Sequence, residues 1–433
     1  MEFEVSYTLD NEQQFWDEID DIVSANCQSH ALIDNALRSY LSFTTKYKGE
    51  YLPSEYDVAK CSYKLLQSTL FCAHKDYVRR QIIYGLLQED DPATLHLVVS
   101  FLLSDGRQNE DTFEMMNQEG AFPRLLELIQ SQKDDDDDGL NRLLLELFYE
   151  MSRIQRIHID DLSLIEDGFI CSLFETIEEL SDDVDDPYHY PVIRVLLVLN
   201  EQYMVAAHDP GPRQNPSIQL TNKVIKVLSY HGLQYKTFGE NIIILLNRES
   251  ETSLQLLILK LLYLLFTNRQ TYEYFYTNDL HVLVDVMIRN LLDLPEEAAS
   301  LRHTYLRVFH PLLAHTQLRY PPHYKRDEIL RLLQMLSGSR SAHFAPADET
   351  TVRLVGRCFG VDWLREDGAG VEEVAKKLLG AQLGGLEEAK KSVLSVVQVA
   401  NHMAKPGEQT PSREKADKMT RNMNSGIVGP RMG

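Results

Sequence analysis

Four histidines in one short window are the first candidates for chemistry in this sequence: His303, His310, His315 and His323. Imidazole nitrogens bind zinc when they converge with a carboxylate or a thiolate. His303 and His310 are seven residues apart, so they would share one face of an unbroken helix. Pro311 is expected to end or kink that helix directly after His310. We therefore favour structural or interface histidines, with a metal-dependent hydrolase as the alternative.

Sequence motifs of catalysis and nucleotide binding are missing from the chain. It contains no glycine-rich dinucleotide motif, no P-loop, no HExxH zinc motif and no GxSxG nucleophile elbow. Acidic pairs such as Glu178–Glu179 lie in polar runs, which are typical of solvated surface. The sequence therefore predicts a protein that is not an enzyme and that needs neither a cofactor nor a metal.

A basic and aromatic window begins at Leu301, in a chain whose net charge is -22. Arginine and tyrosine are enriched at the energetic centres of protein interfaces. The alternative is that half of these side chains pair with acidic groups on adjacent helices. We predict partner binding by Arg289, Arg302, His303, Arg307, His310, Arg319, Tyr320, His323, Tyr324, Lys325 and Arg326.

The overall charge argues against nucleic acid and against anionic membranes as partners, because the chain has 65 acidic side chains and only 43 basic ones. The most apolar stretch, residues 254–266, is shorter than the roughly 20 residues that a transmembrane helix needs. The amino-terminal sequence is acidic and does not resemble a signal peptide. Five widely spaced cysteines favour reduced thiols. We expect a cytoplasmic protein without membrane insertion.

The segment PPHY, residues 321–324, matches the PPxY pattern that proline-recognising adaptor domains bind. Such adaptors are therefore candidate partners. The segment is short and lies inside a region predicted to be folded, so a structural turn is favoured.

Helices must position these residues, because apolar side chains recur at three- and four-residue spacings over long windows. Examples are the predicted helices that start near Leu95, Leu140, Val192 and Ser253, and several of them are apolar nearly all round. Such helices are buried between other helices.

A weak repeat links three of these helices to turn residues at Gly120, Gly168 and Asp279. Each turn residue follows a leucine by 25 positions, and an apolar helix follows each turn. A unit of helix, turn and helix that repeats about every 40 residues is the armadillo or HEAT pattern. We predict an all-α, armadillo/HEAT-like, right-handed helical solenoid, with loop insertions at 134–139 and 206–217.

The predicted organisation has four parts. Residues 1–90 form an amino-terminal helical cap with the first helices, and residues 91–336 form the repeats. Residues 337–403 form carboxy-terminal helices. Residues 404–433 lack periodicity and are expected to be disordered.

Two stretches carry a family resemblance. One begins at Glu249 (ESETSLQLLILKLLYLLFTNRQTYEYFYTNDLHVLVDVMIRNLLDLP), and the other begins at Leu301 (LRHTYLRVFHPLLAHTQLRYPPHYKRDEILRLLQ). Together, over residues 241–336, they resemble the leucine-rich domain of the WISH/DIP family in a fungal form.

The resemblance implies a helical protein that activates the actin-related-protein 2/3 complex without a preformed filament. It further implies linear seed filaments, formed at endocytic actin patches at the cell cortex. It assigns no role to single residues. A scaffold that binds peptides without nucleation activity is the alternative.

Overall fold

The structure is a computed structural model that describes residue 9 and residues 11–131, 139–179, 189–208, 220–338 and 348–365. Within these ranges the chain forms twenty α-helices and no β-strand. The predicted all-α class is therefore confirmed. Of the loops predicted at 134–139 and 206–217, residues 134–138 and 209–217 lie outside the described residues, as do the predicted helices and tail from residue 366 onward. Residues 206–208 were wrongly assigned to a loop, because they form the end of the helix His189–His208. The four-part organisation stays a prediction.

The chain forms two compact units, which we call unit 1 and unit 2. The boundary between them lies between Ile165 and Glu166. The helices of unit 1 are α1 (Glu12–Val23), α2 (His30–Lys46), α3 (Lys48–Tyr51), α4 (Glu55–Gln67), α5 (Thr69–Gln88), α6 (Pro92–Gln108), α7 (Asp111–Gln118), α8 (Ala121–Ser131), α9 (Leu140–Ile154) and α10 (Ile159–Leu164). In unit 1, α6 packs between α4 and α9. Its start is set by Asp91, whose side chain caps the first turn, and by Pro92 at the first helical position.

The helices of unit 2 are α11 (Asp167–Glu179), α12 (His189–His208), α13 (Lys223–His231), α14 (Lys236–Arg248), α15 (Thr252–Thr267), α16 (Thr277–Asp293), α17 (Ala299–His315), α18 (Arg326–Leu336), α19 (Glu349–Phe359) and α20 (Asp362–Arg365). They form two rows. In one row α12, α15, α17 and α19 pack side by side in this order, and in the other α11, α14, α16 and α18 do the same. Two rows of paired helices are what stacked helical repeats produce. The right-handed solenoid stays a prediction.

The sequence repeat corresponds to particular helices. Its three leucines lie in the first turns of α6, α9 and α15, and its turn residues lie at the starts of α8, α11 and α16. Gly120, just before α8, has a φ of 78°, in the left-handed region that favours glycine. This backbone requirement explains why a glycine is found at that turn.

Helix α15 shows why a helix that is apolar all round needs neighbours on two sides. Ten of its side chains are buried, and α12 and α17 cover it. Lys260 is the charged exception, and its Nζ lies 2.5 Å from Oε1 of Glu201 on α12. Both side chains are almost completely buried, so the two charges compensate each other inside the core.

Pro311 was predicted to end or kink the helix around His310, and the first of these outcomes is wrong. Helix α17 continues through Pro311 to His315. Pro311 lacks the N–H that would donate to the carbonyl of Arg307. Leu312 and Leu313 are fully buried in the next turn, and their burial stabilises the continuation of the helix.

Neither unit contains a helix, among the residues described, that is long and apolar enough to cross a membrane. The five cysteines all have free thiols.

Candidate partner-binding surface

The length of α17 separates the predicted partner-binding residues into three groups. Its 17 residues extend over about 25 Å at 1.5 Å per residue. Arg289, on α16, and Arg302, in the first turn of α17, lie beside the turn between these two helices. His303, Arg307 and His310 lie farther along α17. The remaining six residues lie in and just after the turn that follows it, at 316–325.

The first group supports the turns that lead into α15 and α17. The Nη2 of Arg302 donates to the carbonyls of Leu294, at 3.1 Å, and Pro295, at 2.8 Å. The Nη2 of Arg289 donates to the carbonyl of Asn247, at 3.3 Å. The Arg289 side chain remains exposed. These contacts give both arginines a structural role at this edge of unit 2.

In the second group, His303 and Arg307 are buried and His310 is half-buried. The Nε2 of His303 lies 3.0 Å from Oδ1 of Asp348 and 3.0 Å from Oγ1 of Thr351, so it joins α17 to the start of α19. Burial lowers the pKa of His303. Burial raises the pKa of Asp348, but hydrogen bonds from Thr351 and His303 outweigh that effect and lower the pKa to about 2. The neutral imidazole and the carboxylate thus fix one helix against the next.

Arg307 and His310 are the other two members of this group. Burial, together with Arg353 and Arg357, lowers the pKa of Arg307 to about 10, so it stays charged at neutral pH. Burial, together with His315 and Arg357, lowers the pKa of His310 to about 4, so it is neutral there. Neither side chain presents an open surface to a protein partner.

The third group begins with Tyr324 and Lys325, which pack against α16. The Tyr324 ring stacks on His281 with 3.8 Å between centroids, and its hydroxyl donates to Asp285 at 3.1 Å. Burial and the bond to Asp285 raise the pKa of Tyr324. The Nζ of Lys325 lies 3.1 Å from Asp285. An adaptor domain that binds PPHY would have to displace Tyr324, so the contacts favour the structural turn.

His323 and Arg326 attach α20 to the same turn. The His323 ring stacks on Trp363 with 4.9 Å between centroids. Arg326 donates to the carbonyls of Trp363, at 3.1 Å, and Leu364, at 3.0 Å. These two residues therefore stabilise the fold. Arg319 and Tyr320 stay exposed, with the guanidinium 4.7 Å from the ring centroid of Tyr320.

Three successive turns, at 232–235, 268–276 and 316–325, line up along one side of unit 2, and we call this side the turn edge. Asn268 donates to the hydroxyl of Ser229, at 3.3 Å, and Tyr274 donates to the carbonyl of Tyr235. Gln317 donates to the carbonyl of Phe275, at 3.4 Å. Hydrogen bonds between neighbouring turns make the turn edge a continuous, cross-linked surface.

Large apolar side chains project from the turn edge. Leu233 is 84% exposed and Tyr230 is 70% exposed, while Tyr276 and Tyr320 are exposed by more than half. Only Tyr320 belongs to the set predicted from the sequence. The available signal for Leu233 and Tyr276 was their position in the short turns HGLQY and YFYTND between apolar helices, whereas Tyr230 lies in the last turn of α13. Exposed tyrosines at neighbouring positions are typical of protein-binding surfaces.

The histidine window does not form a convergent cluster. His303 contacts Asp348, His315 contacts the carbonyl of Phe266, and His323 contacts Trp363. Among the residues that the structure describes, no three His, Cys, Asp or Glu side chains are grouped as a metal ion would need.

The described residues thus define an all-α protein of paired helices with an exposed aromatic edge. Comparison with known sequences adds the family. Residues 185–329 match the family model of the SPIN90/Ldb17 leucine-rich domain. The match begins earlier in the chain than residues 241–336, which carry the resemblance seen in the sequence.

Three fungal relatives match nearly the same extent of the chain. Protein dip1 of Schizosaccharomyces pombe is 33% identical over 85% of this chain and 98% of its own. Protein LDB17 of Eremothecium gossypii is 28% identical over 79% of this chain and 80% of its own. Protein LDB17 of Saccharomyces cerevisiae is 28% identical over 77% of this chain and 75% of its own. The chain belongs to the SPIN90/Ldb17 family, to which the fungal WISH/DIP proteins belong.

Proposed function

We propose that this protein activates the actin-related-protein 2/3 complex and triggers nucleation of linear actin filaments without a preformed filament. Membership of the SPIN90/Ldb17 family over most of the chain supports this proposal. The proposal places the protein in the cytoplasm, at endocytic actin patches at the cell cortex. Hydrolysis of ATP belongs to the partner complex, and this chain contributes binding and no catalysis.

The turn edge of unit 2 is the surface that we assign to the complex. It combines exposed aromatic and aliphatic side chains with the cations Lys236 and Arg319, and Lys236 lies 4.7 Å from the ring centroid of Tyr276. Aromatic side chains contribute much of the binding energy of an interface when they are buried against a partner. Two rows of packed helices hold the edge rigid, so binding to it favours the partner conformation that fits best.

Actin assembly with purified components tests this assignment. Replacing Tyr230, Leu233 and Tyr276 together by serine should weaken activation at least tenfold, because each loses a contact of about 1–2 kcal/mol. All three side chains are exposed by more than half, so the melting temperature should stay within a few degrees of the parent value.

Tyr56→Ser is the matched control, since Tyr56 is 75% exposed but lies on α4 of unit 1. It should leave the lag of assembly unchanged. Full activation by the triple variant would show that the turn edge is not the interface. Binding of the parent protein without any shortening of the lag would favour a peptide-binding scaffold instead.

A further inference from the structure

Arg307 is a buried cation for which no described residue supplies a matching anion. Its side chain is only 3% exposed. Its Nε and Nη1 are buried and have no hydrogen-bond partner anywhere in the described ranges. Buried charged groups are ordinarily paired with an opposite charge, because removing a lone charge from water costs several kcal/mol. An unsatisfied guanidinium of this kind therefore calls for an explanation.

The neighbours of Arg307 increase the positive charge. Arg307 lies on α17 where that helix packs against α19, close to the contact of Cys358 with the carbonyl of Leu306. Arg353 and Arg357 are four residues apart on α19, and both act on Arg307 as like charges. Neither of them forms an ion pair with a described residue. Three guanidinium groups thus share one region between two helices.

Among the described residues, no carboxylate forms an ion pair with a member of this cluster. Asp348 is bound to His303 and Thr351. No described carboxylate is among the groups that act on Arg307, and the other nearby titratable groups are the neutral His310 and Tyr263. The cluster therefore carries a local charge near three, within a protein of net charge -22.

The three arginines differ in exposure to solvent. Arg307 is buried, Arg357 is half-buried and Arg353 is exposed. The guanidinium plane presents paired N–H groups that fit the oxygen atoms of a phosphate. A single carboxylate would leave most of the charge uncompensated, whereas a phosphate dianion compensates more of it.

We propose that Arg307, Arg353 and Arg357 form a binding site for a phosphate-class oxyanion. The site lies between α17 and α19, apart from the turn edge. Its occupation removes the uncompensated charge from the helix pair and strengthens the contact between the two helices. It requires no catalytic step.

Thermal unfolding of the full chain tests the proposal, with sodium phosphate as the probe and sodium chloride at equal ionic strength as the reference. Phosphate at ten times its dissociation constant should raise the melting temperature by about 3 °C. Arg353→Gln with Arg357→Gln should weaken phosphate binding at least tenfold, measured by calorimetry. Arg331→Gln, an exposed position on α18, should leave the response unchanged.

Arg307→Met separates a ligand site from a structural arginine. It should abolish the phosphate response, yet raise the melting temperature in phosphate-free buffer, because it removes a buried unpaired charge. A lower melting temperature in that buffer would mean that Arg307 has a protein partner, and the proposal would fail. Equal responses in parent and variants would indicate an adventitious ion only. Equal stabilisation by acetate would also contradict a phosphate-class site.

Discussion

At the scale of single residues, burial decides what each side chain of the basic window does. The sequence correctly shows that arginines, tyrosines and histidines are concentrated after Leu301, but it does not show which of them face solvent. Arg307 is buried and His310 is half-buried, whereas Arg319 and Tyr320 are exposed. Residue types alone do not distinguish these cases, because arginines occur both in the buried part of α17 and in the exposed turn that follows it.

His310 gives the stability of the fold a dependence on pH. Its pKa is about 4 in the folded protein and near 6.5 in the unfolded chain. The unfolded chain therefore binds more protons between these values, so stability is full above pH 6.5 and is lost as the pH falls toward 4. From pH 7 to 5.5 the loss from His310 should be about 1 kcal/mol.

Urea unfolding at both pH values measures this contribution. His310→Gln should reduce the pH dependence of the free energy of unfolding by that amount. His158→Gln, at an exposed position in unit 1, should not. An unchanged pH dependence in His310→Gln would show that the histidine is not held neutral by its surroundings.

At the scale of helices, the periodicity of apolar residues predicts well which segments form helices. It predicts poorly where the ends of each helix lie in the folded unit. The apolar stretches from Leu95, Leu140 and Ser253 correspond to α6, α9 and α15. The basic window reads as one continuous patch in the sequence, but α17 carries its two ends to opposite edges of unit 2. Pro311 was misleading because packing on both sides of the proline holds the helix together.

Close packing between α6 and α7 depends on Gly106. A Cβ added there would lie 2.2 Å from the ring of Phe113, which is completely buried. Gly106→Ala should therefore destabilise the protein by about 1–3 kcal/mol. Gly356→Ala is the control, because a Cβ on α19 would meet nothing within 4 Å. The control change should stabilise the protein by up to about 1 kcal/mol, because alanine has a higher helix propensity than glycine. Urea unfolding measures both variants, and equal changes in their free energy of unfolding would contradict this account.

The buried pair of Lys260 and Glu201 joins α15 to α12 inside unit 2. Lys260→Met leaves Glu201 buried without its partner and should cost about 3–5 kcal/mol. Adding Glu201→Leu removes the lone charge and should recover most of that loss. Urea unfolding of the single and double variants measures the difference. A double variant no more stable than the single one would show that the pair is not a coupled unit.

At the scale of the whole molecule, composition and helical pattern were enough to predict an all-α, acidic protein, and two long stretches were enough to predict the family. The turn edge was not predicted, because Tyr276 is far in the sequence from the pair Tyr230 and Leu233, and Tyr320 is farther still. They come together only when successive helix pairs align their turns. A pattern confined to one segment carries no information about such an alignment.

The central claim concerns what the whole protein does to a second assembly, and imaging of single actin filaments tests it most directly. The parent protein, the purified actin-related-protein 2/3 complex and actin monomers are mixed without filament seeds, and new filaments are counted by fluorescence microscopy. We predict unbranched filaments whose number increases with the concentration of this protein. Filament formation that stays at the level of the complex alone, or that requires added seeds, would contradict the account.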